Sequence, residues 1–147
     1  MSDHRYETLL RWTGSTGLGW ESYGRDHTAT APPAEQEIRL TTGESKGDRA
    51  VLNPEQLVVM AASSCQMLWF LHLAAKARID VVTYEDRCEA EMPDDRITRI
   101  VLRPAISLRD AYDEERVRKL CDQAHRHCNV AKSLSCPVEL EPVVRAA

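Results

Sequence analysis

The sequence lacks several patterns that would assign it to common classes of protein. It has no long basic tract and a formal net charge of -4 over 147 residues, which argues against a general nucleic-acid-binding protein. Its first residues reach charged side chains at once, without the apolar segment of a signal peptide. We therefore expect a cytoplasmic protein. No repeat or low-complexity segment divides the chain, so a single domain over residues 1–147 is expected.

Cysteine is present, but not in the spacings of common cysteine sites. None of the five cysteines belongs to a CxxC pair, which disfavours a thioredoxin motif and a four-cysteine zinc site. A disulfide framework is not expected in a reducing compartment. Any chemistry of cysteine in this protein must then combine residues that are distant in sequence.

The hydrophobic pattern predicts an α+β domain, with two long helices packed against antiparallel sheets. Short strands are expected at 6–12, 20–30 and 35–42, within an N-terminal strand region at about 5–50. Two alternating segments predict an antiparallel hairpin at about 80–109. The remaining elements are a central helix at about 54–77, a second helix at about 113–133 and a C-terminal strand at about 136–143.

The predicted hairpin has one apolar and one polar face. The apolar face contains Val82, Tyr84, Cys88, Ala90, Met92, Ile100, Leu102, Ile106 and Leu108. The polar face contains Thr83, Glu85, Arg87, Glu89, Glu91, Arg99, Arg103 and Ser107. The alternation therefore predicts one buried and one solvated side for the sheet.

The central helix has a clear start and an unusually apolar body. Asn53 can cap it, Pro54 suits its first position, and Gln56 completes a capping box. From Leu57 to Ala75 the chain is apolar on nearly every side, as in a buried core helix or a membrane span. Four polar residues interrupt the run: Ser63, Ser64, Gln66 and His72. We therefore expect a central buried helix and no membrane insertion.

The five cysteines fall into two groups. Cys88 and Cys121 lie on apolar faces and are interpreted as core residues, while Cys136 begins an edge-like strand where packing is its expected role. Cys65 and Cys128 lie on helix faces expected to be buried, but with polar neighbours that a core position does not need. Two packed helices can bring these thiols together, but their spacing in sequence does not decide whether they form a functional pair.

The segment HRHC at 125–128 raises the possibility of a metal site. His125 and Cys128 are spaced to share a helix face, and both are soft ligands. His127 points elsewhere, and no second cluster of cysteine and histidine lies nearby in sequence. A zinc protein is therefore an alternative rather than the favoured interpretation.

The segment NPEQLVVMAASSC at 53–65 resembles the signature of the OsmC/Ohr family, the osmotically inducible and organic hydroperoxide resistance proteins. In that family Asn-Pro-Glu opens a long helix, and a reactive cysteine follows ten residues after the glutamate, as Glu55 and Cys65 are spaced here. A second family motif places a cysteine late in the second helix. CNVAKSL at 128–134 matches it through Cys128, with Asn129 in place of proline and Ala131 in place of serine.

The resemblance implies an OsmC-like thiol peroxidase that reduces organic hydroperoxides as an antioxidant in the stress response. It also implies an intertwined homodimer with both active sites at the subunit interface. Cys65 would be the peroxidatic thiol and become a sulfenic acid, and Cys128 would resolve it as a disulfide. A dithiol reductant, in relatives often a lipoyl group, would reset the pair. No metal or bound cofactor is implied.

A buried thiol also needs electrostatic help, because burial raises its pKa and the thiolate is the nucleophile. In the family an arginine from the N-terminal strands supplies the positive charge, held by the glutamate of the Asn-Pro-Glu motif. Glu55 matches that glutamate, and Arg25 is the favoured arginine, with Arg39 and Arg49 as alternatives. The alternative function is a non-catalytic dimeric binder of hydrophobic ligands, or a redox sensor.

Overall fold

The computed structural model describes residues 3–147, whose first strands form a small antiparallel sheet. Strands β1 (Leu9–Arg11), β2 (His27–Thr30) and β3 (Glu37–Leu40) lie in the order β1-β2-β3. All three fall inside segments predicted as strands. The segment 20–30 is extended only at its end, because residues 20–23 form turns before β2 begins.

The long central helix α1 (Pro54–Lys76) begins as the sequence predicts. The Gln56 backbone N–H donates to Asn53 Oδ1 at 2.9 Å, and the Asn53 backbone N–H donates to Gln56 Oε1 at 3.0 Å. This reciprocal pair is a capping box, which satisfies two backbone donors at the start of the helix. The prediction of the helix start at Pro54 is confirmed.

The body of α1 is less buried than predicted. Its buried residues are Ala62, Gln66, Phe70 and Ala74. They are four residues apart and form one stripe, whereas Met60 and Leu68 on the opposite side are 48% and 61% exposed. The expectation of a central buried helix is therefore only partly met, because one side of α1 is exposed in the single chain. By length and hydropathy α1 could also cross a membrane, a test that core helices of soluble proteins pass as well.

The chain divides into two compact units, residues 1–57 and 58–147. The prediction of a single domain stays a prediction. The second unit contains β4 (Val81–Asp86), β5 (Glu89–Glu91), β6 (Arg99–Leu102), β7 (Pro104–Leu108), α2 (Glu114–His127), α3 (Asn129–Ser133), β8 (Val138–Leu140) and β9 (Val143–Ala146).

Two three-stranded sheets make up the β-structure of this second unit, in the orders β4-β7-β9 and β5-β6-β8. The antiparallel pairs β4–β7 and β5–β6 confirm the predicted hairpin, which is split between the two sheets. The C-terminal segment forms two strands instead of one, and both pair in parallel, β8 with β6 and β9 with β7. The sheets are therefore mixed, which corrects the expectation of purely antiparallel sheets.

The predicted faces of the hairpin are right in its second half and partly wrong in its first. Ile100, Leu102, Ile106 and Leu108 are each at most 1% exposed. Val82 is 41% exposed, because the register shifts between Val81 and Thr83. Such an irregularity puts Val82 out of phase with Tyr84, which is partly buried as predicted. Met92, predicted on the apolar face, is 47% exposed just beyond the end of β5.

The polar face of the β5-β6-β8 sheet carries a set of ion pairs. Arg99 bridges Glu91 and Glu139 with N–O distances of 2.9 and 2.7 Å. Arg103 bridges two further glutamates, Glu89 and Glu141, at 2.8 Å each. These pairs confirm that this face is the charged one, and they connect neighbouring strands.

Helix α2 ends earlier than predicted. Asp113 caps its start by accepting hydrogen bonds from two backbone N–H groups of the first turn. The helix was expected to run to about residue 133, but it stops at His127, because Cys128 adopts an extended conformation with φ -62° and ψ 107°. The chain then continues as the single-turn helix α3. The predicted second helix is therefore two helices with Cys128 between them.

Candidate active site

Cys65 lies near the middle of α1, beside the buried stripe of that helix. Its neighbour Gln66 is 1% exposed, and Cys65 itself is half-buried. On one side of it Ala62 packs with Ile100 and Leu102 of the β5-β6-β8 sheet. On the other side Phe70 packs in a second core cluster, with residues of β7 and α2. Cys65 is thus held on a rigid element between two packed cores.

Cys128 occupies the break between α2 and α3 and is 1% exposed. Its backbone N–H donates to the His125 carbonyl at 3.2 Å. Its sulfur accepts a hydrogen bond from the Ala131 backbone N–H at 3.4 Å, and so caps the start of α3. The backbone break thus places this thiol at the end of the buried stripe of α2, with its sulfur in a polar contact.

The two thiols are neighbours, although they are far apart in sequence. Both are free cysteines. The pKa of Cys128 is raised to about 11, mainly by burial and in addition by the neighbouring Cys65 thiol. The backbone N–H groups of Ala131 and Val130 act in the opposite direction. The structure therefore brings together the two cysteines that the sequence singled out, in their reduced forms.

Helices α1 and α2 make two side-chain contacts near these thiols. Gln66 Nε2 donates to the Cys121 carbonyl at 3.0 Å. Trp69 stacks on His127, with ring centroids 4.8 Å apart and an interplanar angle of 20°. On the same helix His72 meets the Trp69 ring edge-on at 5.8 Å. No spacing pattern predicted these contacts, because each joins residues whose proximity depends on how the helices pack.

A third cysteine lies in a hydrogen-bonded group nearby. Ser63 Oγ donates to one oxygen of Asp86, and the Arg103 backbone N–H donates to the other at 2.7 Å. Burial raises the pKa of Cys88, and the Asp86 carboxylate raises it further. Cys88 packs against the cluster around Ala62, as does Cys136. Cys121 is 1% exposed in the other cluster, so all three are packing residues, as interpreted.

Arg25 lies in the N-terminal unit, next to β2. Its guanidinium donates to the carbonyl oxygens of Trp20 and Tyr23 and lies 3.6 Å from the centre of the Tyr23 ring. The alternative Arg39 is paired with Asp26 at 2.7 Å. Arg25 lines an apolar hollow of about 280 Å³ with Leu10, Trp12, Thr16, Tyr23 and His27. The role of Arg25 as the activating arginine stays a prediction.

Glu55 is placed in the first turn of α1, where the helix dipole favours an acid. Within the described residues 3–147, its Oε2 atom is buried and accepts no hydrogen bond. A side chain at Gly43 would come within 3.3 Å of that oxygen, so the backbone approaches it closely. A buried carboxylate oxygen is costly without a partner. Its pairing with an arginine stays a prediction.

The histidine and cysteine segment of α2 does not assemble a metal site in the part of the chain that the structure describes. No group of three or more side chains of histidine, cysteine, aspartate or glutamate is close enough there to hold an ion. His127 is turned to Trp69. The zinc alternative therefore has no set of ligands among residues 3–147.

The chain is an α+β protein in which helices pack beside mixed β-sheets and bring two free cysteines together. The chain belongs to the OsmC-like protein family, whose model matches residues 46–142. This membership confirms the resemblance seen in the motif at 53–65. A comparison with curated protein sequences finds no significant match.

Solved structures show the same fold. An OsmC-like protein of unknown function from Vibrio cholerae is similar with a TM-score of 0.86 and 24% identity, over 96% of this chain and 100% of that one. The organic hydroperoxide resistance protein OsmC from Legionella pneumophila has a TM-score of 0.67 and 17% identity, over 99% and 100%. OhrB of Bacillus subtilis, an organic hydroperoxide resistance protein, has a TM-score of 0.61 and 19% identity, over 96% of this chain and 98% of that one.

Proposed function

We propose that the protein is a thiol peroxidase that reduces organic hydroperoxides through Cys65 and Cys128. The observation that carries the proposal is that these two free thiols are close enough to interact electrostatically. Two neighbouring thiols can convert a sulfenic acid into a disulfide without a large movement. Membership of the OsmC-like family supports the same chemistry, because structures of similar fold include organic hydroperoxide resistance proteins.

The proposed cycle has three balanced steps. The Cys65 thiolate attacks the distal peroxide oxygen, the O–O bond breaks, and the alkoxide takes up a proton to leave as an alcohol, with Cys65 as the sulfenic acid. Cys128 then attacks the sulfenic sulfur, so that a disulfide forms and water leaves. A dithiol reductant, such as a lipoyl group, finally reduces the disulfide and becomes a disulfide itself.

The electrostatics of Cys128 support the division of roles. Its pKa is raised to about 11, first by burial, so very little thiolate exists at neutral pH to attack a peroxide. Cys65 is half-buried, whereas Cys128 is 1% exposed and less accessible to a substrate. Cys65 is therefore the first nucleophile in this proposal, and Cys128 is the resolving thiol.

The surface beside Cys65 suits an organic substrate. An apolar hollow of about 250 Å³ is lined by Leu68, Trp69 and His72, which follow Cys65 by one to two turns of α1. An alkyl or aromatic group can lie there while its peroxide end is at the sulfur. Burial of apolar surface contributes about 25 cal/mol per Å², which favours organic hydroperoxides over hydrogen peroxide.

Cysteine variants test this proposal directly. Purified wild-type protein with a dithiol reductant is expected to consume cumene hydroperoxide, and Cys65→Ser is expected to lose at least a hundredfold in rate. Cys128→Ser should still react once, and its Cys65 sulfenic acid can be trapped and identified by mass spectrometry. Cys136→Ser is the matched control, because Cys136 is also half-buried but outside the pair. Equal turnover by wild type and Cys65→Ser would sink the proposal.

The same experiment distinguishes the peroxidase from the alternative function. A non-catalytic binder or redox sensor predicts slow turnover even with ample reductant, and a ligand retained on purification. Mass spectrometry after one equivalent of hydroperoxide distinguishes them. Loss of two hydrogens at Cys65 and Cys128 within seconds is expected for the peroxidase, whereas unmodified thiols would indicate binding.

Arg25 and Glu55 complete the proposed catalytic set. Arg25 would stabilise the Cys65 thiolate, and Glu55 would hold the guanidinium with its buried, unpaired oxygen. Substituting each candidate arginine by glutamine tests the choice. Arg25→Gln is expected to slow the alkylation of the reactive thiol at pH 7, while Arg39→Gln and Arg49→Gln leave its alkylation rate unchanged. A slowing confined to Arg39→Gln or Arg49→Gln would reassign the role.

The proposal also includes a homodimer. One side of α1 is left uncovered in the single chain, with Met60 and Leu68 about half exposed or more. The N-terminal unit exposes further large apolar side chains: Tyr6, Leu9, Leu10, Leu18 and Trp20. Apolar surface of this kind on a helix is typical of a protein interface, and a second copy of the chain is its proposed partner.

A further inference from the structure

The position of the Cys128 sulfur is not fixed by its own backbone alone. The residue follows the last turn of α2 and precedes α3, which has only 5 residues. A helix this short is not stable by itself in water, and the last turn of any helix is its least stable part. Contacts with another element must therefore hold Cys128 against Cys65.

The stack of Trp69 on His127 joins α1 to the last turn of α2. Trp69 follows Cys65 by one turn of α1, and His127 directly precedes Cys128. The rings overlap face to face at 4.8 Å, with an angle of 20° between their planes. A hydrogen bond between the two helices, from Gln66 to the Cys121 carbonyl, lies two turns earlier in α2. It acts less directly on the last turn of α2 than the ring stack does.

The exposure of His127 indicates that this stack has a specific role. His127 is on the exposed side of α2, unlike Val117, Cys121 and Ala124 of its buried stripe. Helix packing therefore does not require an aromatic ring at this position. An aromatic pair adds a geometric restraint that an aliphatic contact lacks, because it fixes the orientation of both rings.

We propose that the Trp69–His127 stack is a clamp that positions Cys128 to resolve the oxidised Cys65. The inference rests on the proposed function of the cysteine pair and assigns two positioning residues to it. In the resolving step the Cys128 sulfur bonds to the sulfenic sulfur of Cys65, the S–O bond breaks, and the Cys128 proton leaves with the hydroxide as water. Orientation of the two sulfurs controls such a step.

Loss of the clamp should affect the second step and not the first. Attack of Cys65 on the hydroperoxide does not need Cys128, so its rate should be unchanged. Formation of the disulfide should slow by about threefold to tenfold, the range by which one aromatic pair shifts a local equilibrium. A general loss of structure would slow both steps instead.

His127→Ala, His127→Phe and Arg126→Ala form the experimental set. Each reduced protein is mixed with one equivalent of cumene hydroperoxide, quenched with dimedone at intervals, and analysed by mass spectrometry for trapped Cys65 sulfenic acid and for the disulfide. His127→Ala should accumulate the sulfenic acid, while His127→Phe retains a stacking ring and should resolve at the wild-type rate. Arg126→Ala changes the neighbouring exposed residue and should behave as wild type. Resolution of His127→Ala at the wild-type rate, or no rescue by His127→Phe, would overturn the clamp.

Failure of the proposed function has a different signature. If the protein is not a peroxidase, hydroperoxide does not oxidise Cys65 in the wild type or in any variant. The thiol oxidant diamide, which is reduced to a hydrazine as it joins two thiols, then drives the Cys65–Cys128 bond directly. The clamp still predicts slower bond formation in His127→Ala than in wild type and His127→Phe, and equal rates in all three would overturn it.

Discussion

At the scale of single residues, burial determines how the thiols respond to pH. Burial is the largest cause that raises the pKa of Cys121 to about 12 and of Cys128 to about 11. Each side chain is only 1% exposed, so solvent does little to stabilise the thiolate. Both groups therefore remain neutral thiols in the folded protein at a pH where they would begin to ionise in the unfolded chain.

These shifts predict a loss of stability at alkaline pH. An acid whose pKa is raised by folding contributes its full stability below the unfolded value near 9, and loses it as the pH rises toward the folded value. The free energy of unfolding should therefore fall between pH 8.5 and 11, with a slope of up to about 1.4 kcal/mol per pH unit for each thiol. Urea denaturation under reducing conditions at several pH values measures this free energy of unfolding.

Cys121→Ala provides the control for that slope. The substitution removes one buried thiol and costs some packing at every pH, but it should make the decline of stability with pH shallower. A variant with the same slope as wild type would show that Cys121 does not ionise in this range. Cys136→Ala, which removes a half-buried thiol, should leave most of the slope in place.

At the scale of secondary-structure elements, the C-terminal end of α1 has an unfavourable residue in its left-handed position. The Ile79 N–H donates to the Ala74 carbonyl at 2.9 Å, and the Arg78 N–H donates to the Ala75 carbonyl at 3.1 Å. This pattern is a Schellman motif, in which glycine usually occupies the left-handed position. Here Arg78 occupies it with φ 57°, where a side chain makes the backbone less favourable.

Arg78→Gly is therefore expected to stabilise the protein. Relief of the left-handed conformation should contribute about 0.5–1 kcal/mol to the free energy of unfolding, after the added flexibility of the unfolded chain is subtracted. Ala75→Gly, three residues earlier in the last turn of α1, is the matched control and should destabilise by about 1 kcal/mol. Urea denaturation of both variants tests the pair, and destabilisation by Arg78→Gly would contradict the strain argument.

The same scale shows how much of the fold could be predicted from sequence. The start of α1 was predictable, because Asn53, Pro54 and Gln56 act on backbone groups within one turn. The early end of α2 at His127 was not predictable, since its apolar stripe continues past Cys128 without a glycine or proline. The parallel pairing of β8 and β9 also escaped prediction. Alternation shows which face of a strand is buried but not which strand lies beside it.

The candidate site was predicted only in part, for a related reason. The polar neighbours of Cys65 and Cys128 distinguished them from the packing cysteines, and the family motif suggested their pairing. The contacts of Trp69 with His127 and of Gln66 with Cys121 left no signal in the sequence. Each depends on the relative rotation of α1 and α2, which no local pattern determines.

At the scale of the whole molecule, the uncovered side of α1 predicts the state of association. Met60 is 48% exposed in the single chain, and in the proposed homodimer it is covered. Met60→Glu should therefore convert a dimer into a monomer at micromolar concentration, as measured by sedimentation equilibrium. Val143→Glu, at a residue 57% exposed on β9, is the matched control and should remain dimeric. A wild-type monomer would refute the homodimer.

The parallel pairing of the last two strands has a consequence for synthesis of the chain. Strands β6 and β7 each hold the centre of a sheet, and each has one neighbour that the ribosome makes only after α2 and α3. Until β8 and β9 emerge, both sheets present an open edge of unpaired backbone groups, which can pair with other nascent chains. A ribosome that stalls before residue 138 would therefore hold a chain that is prone to aggregate.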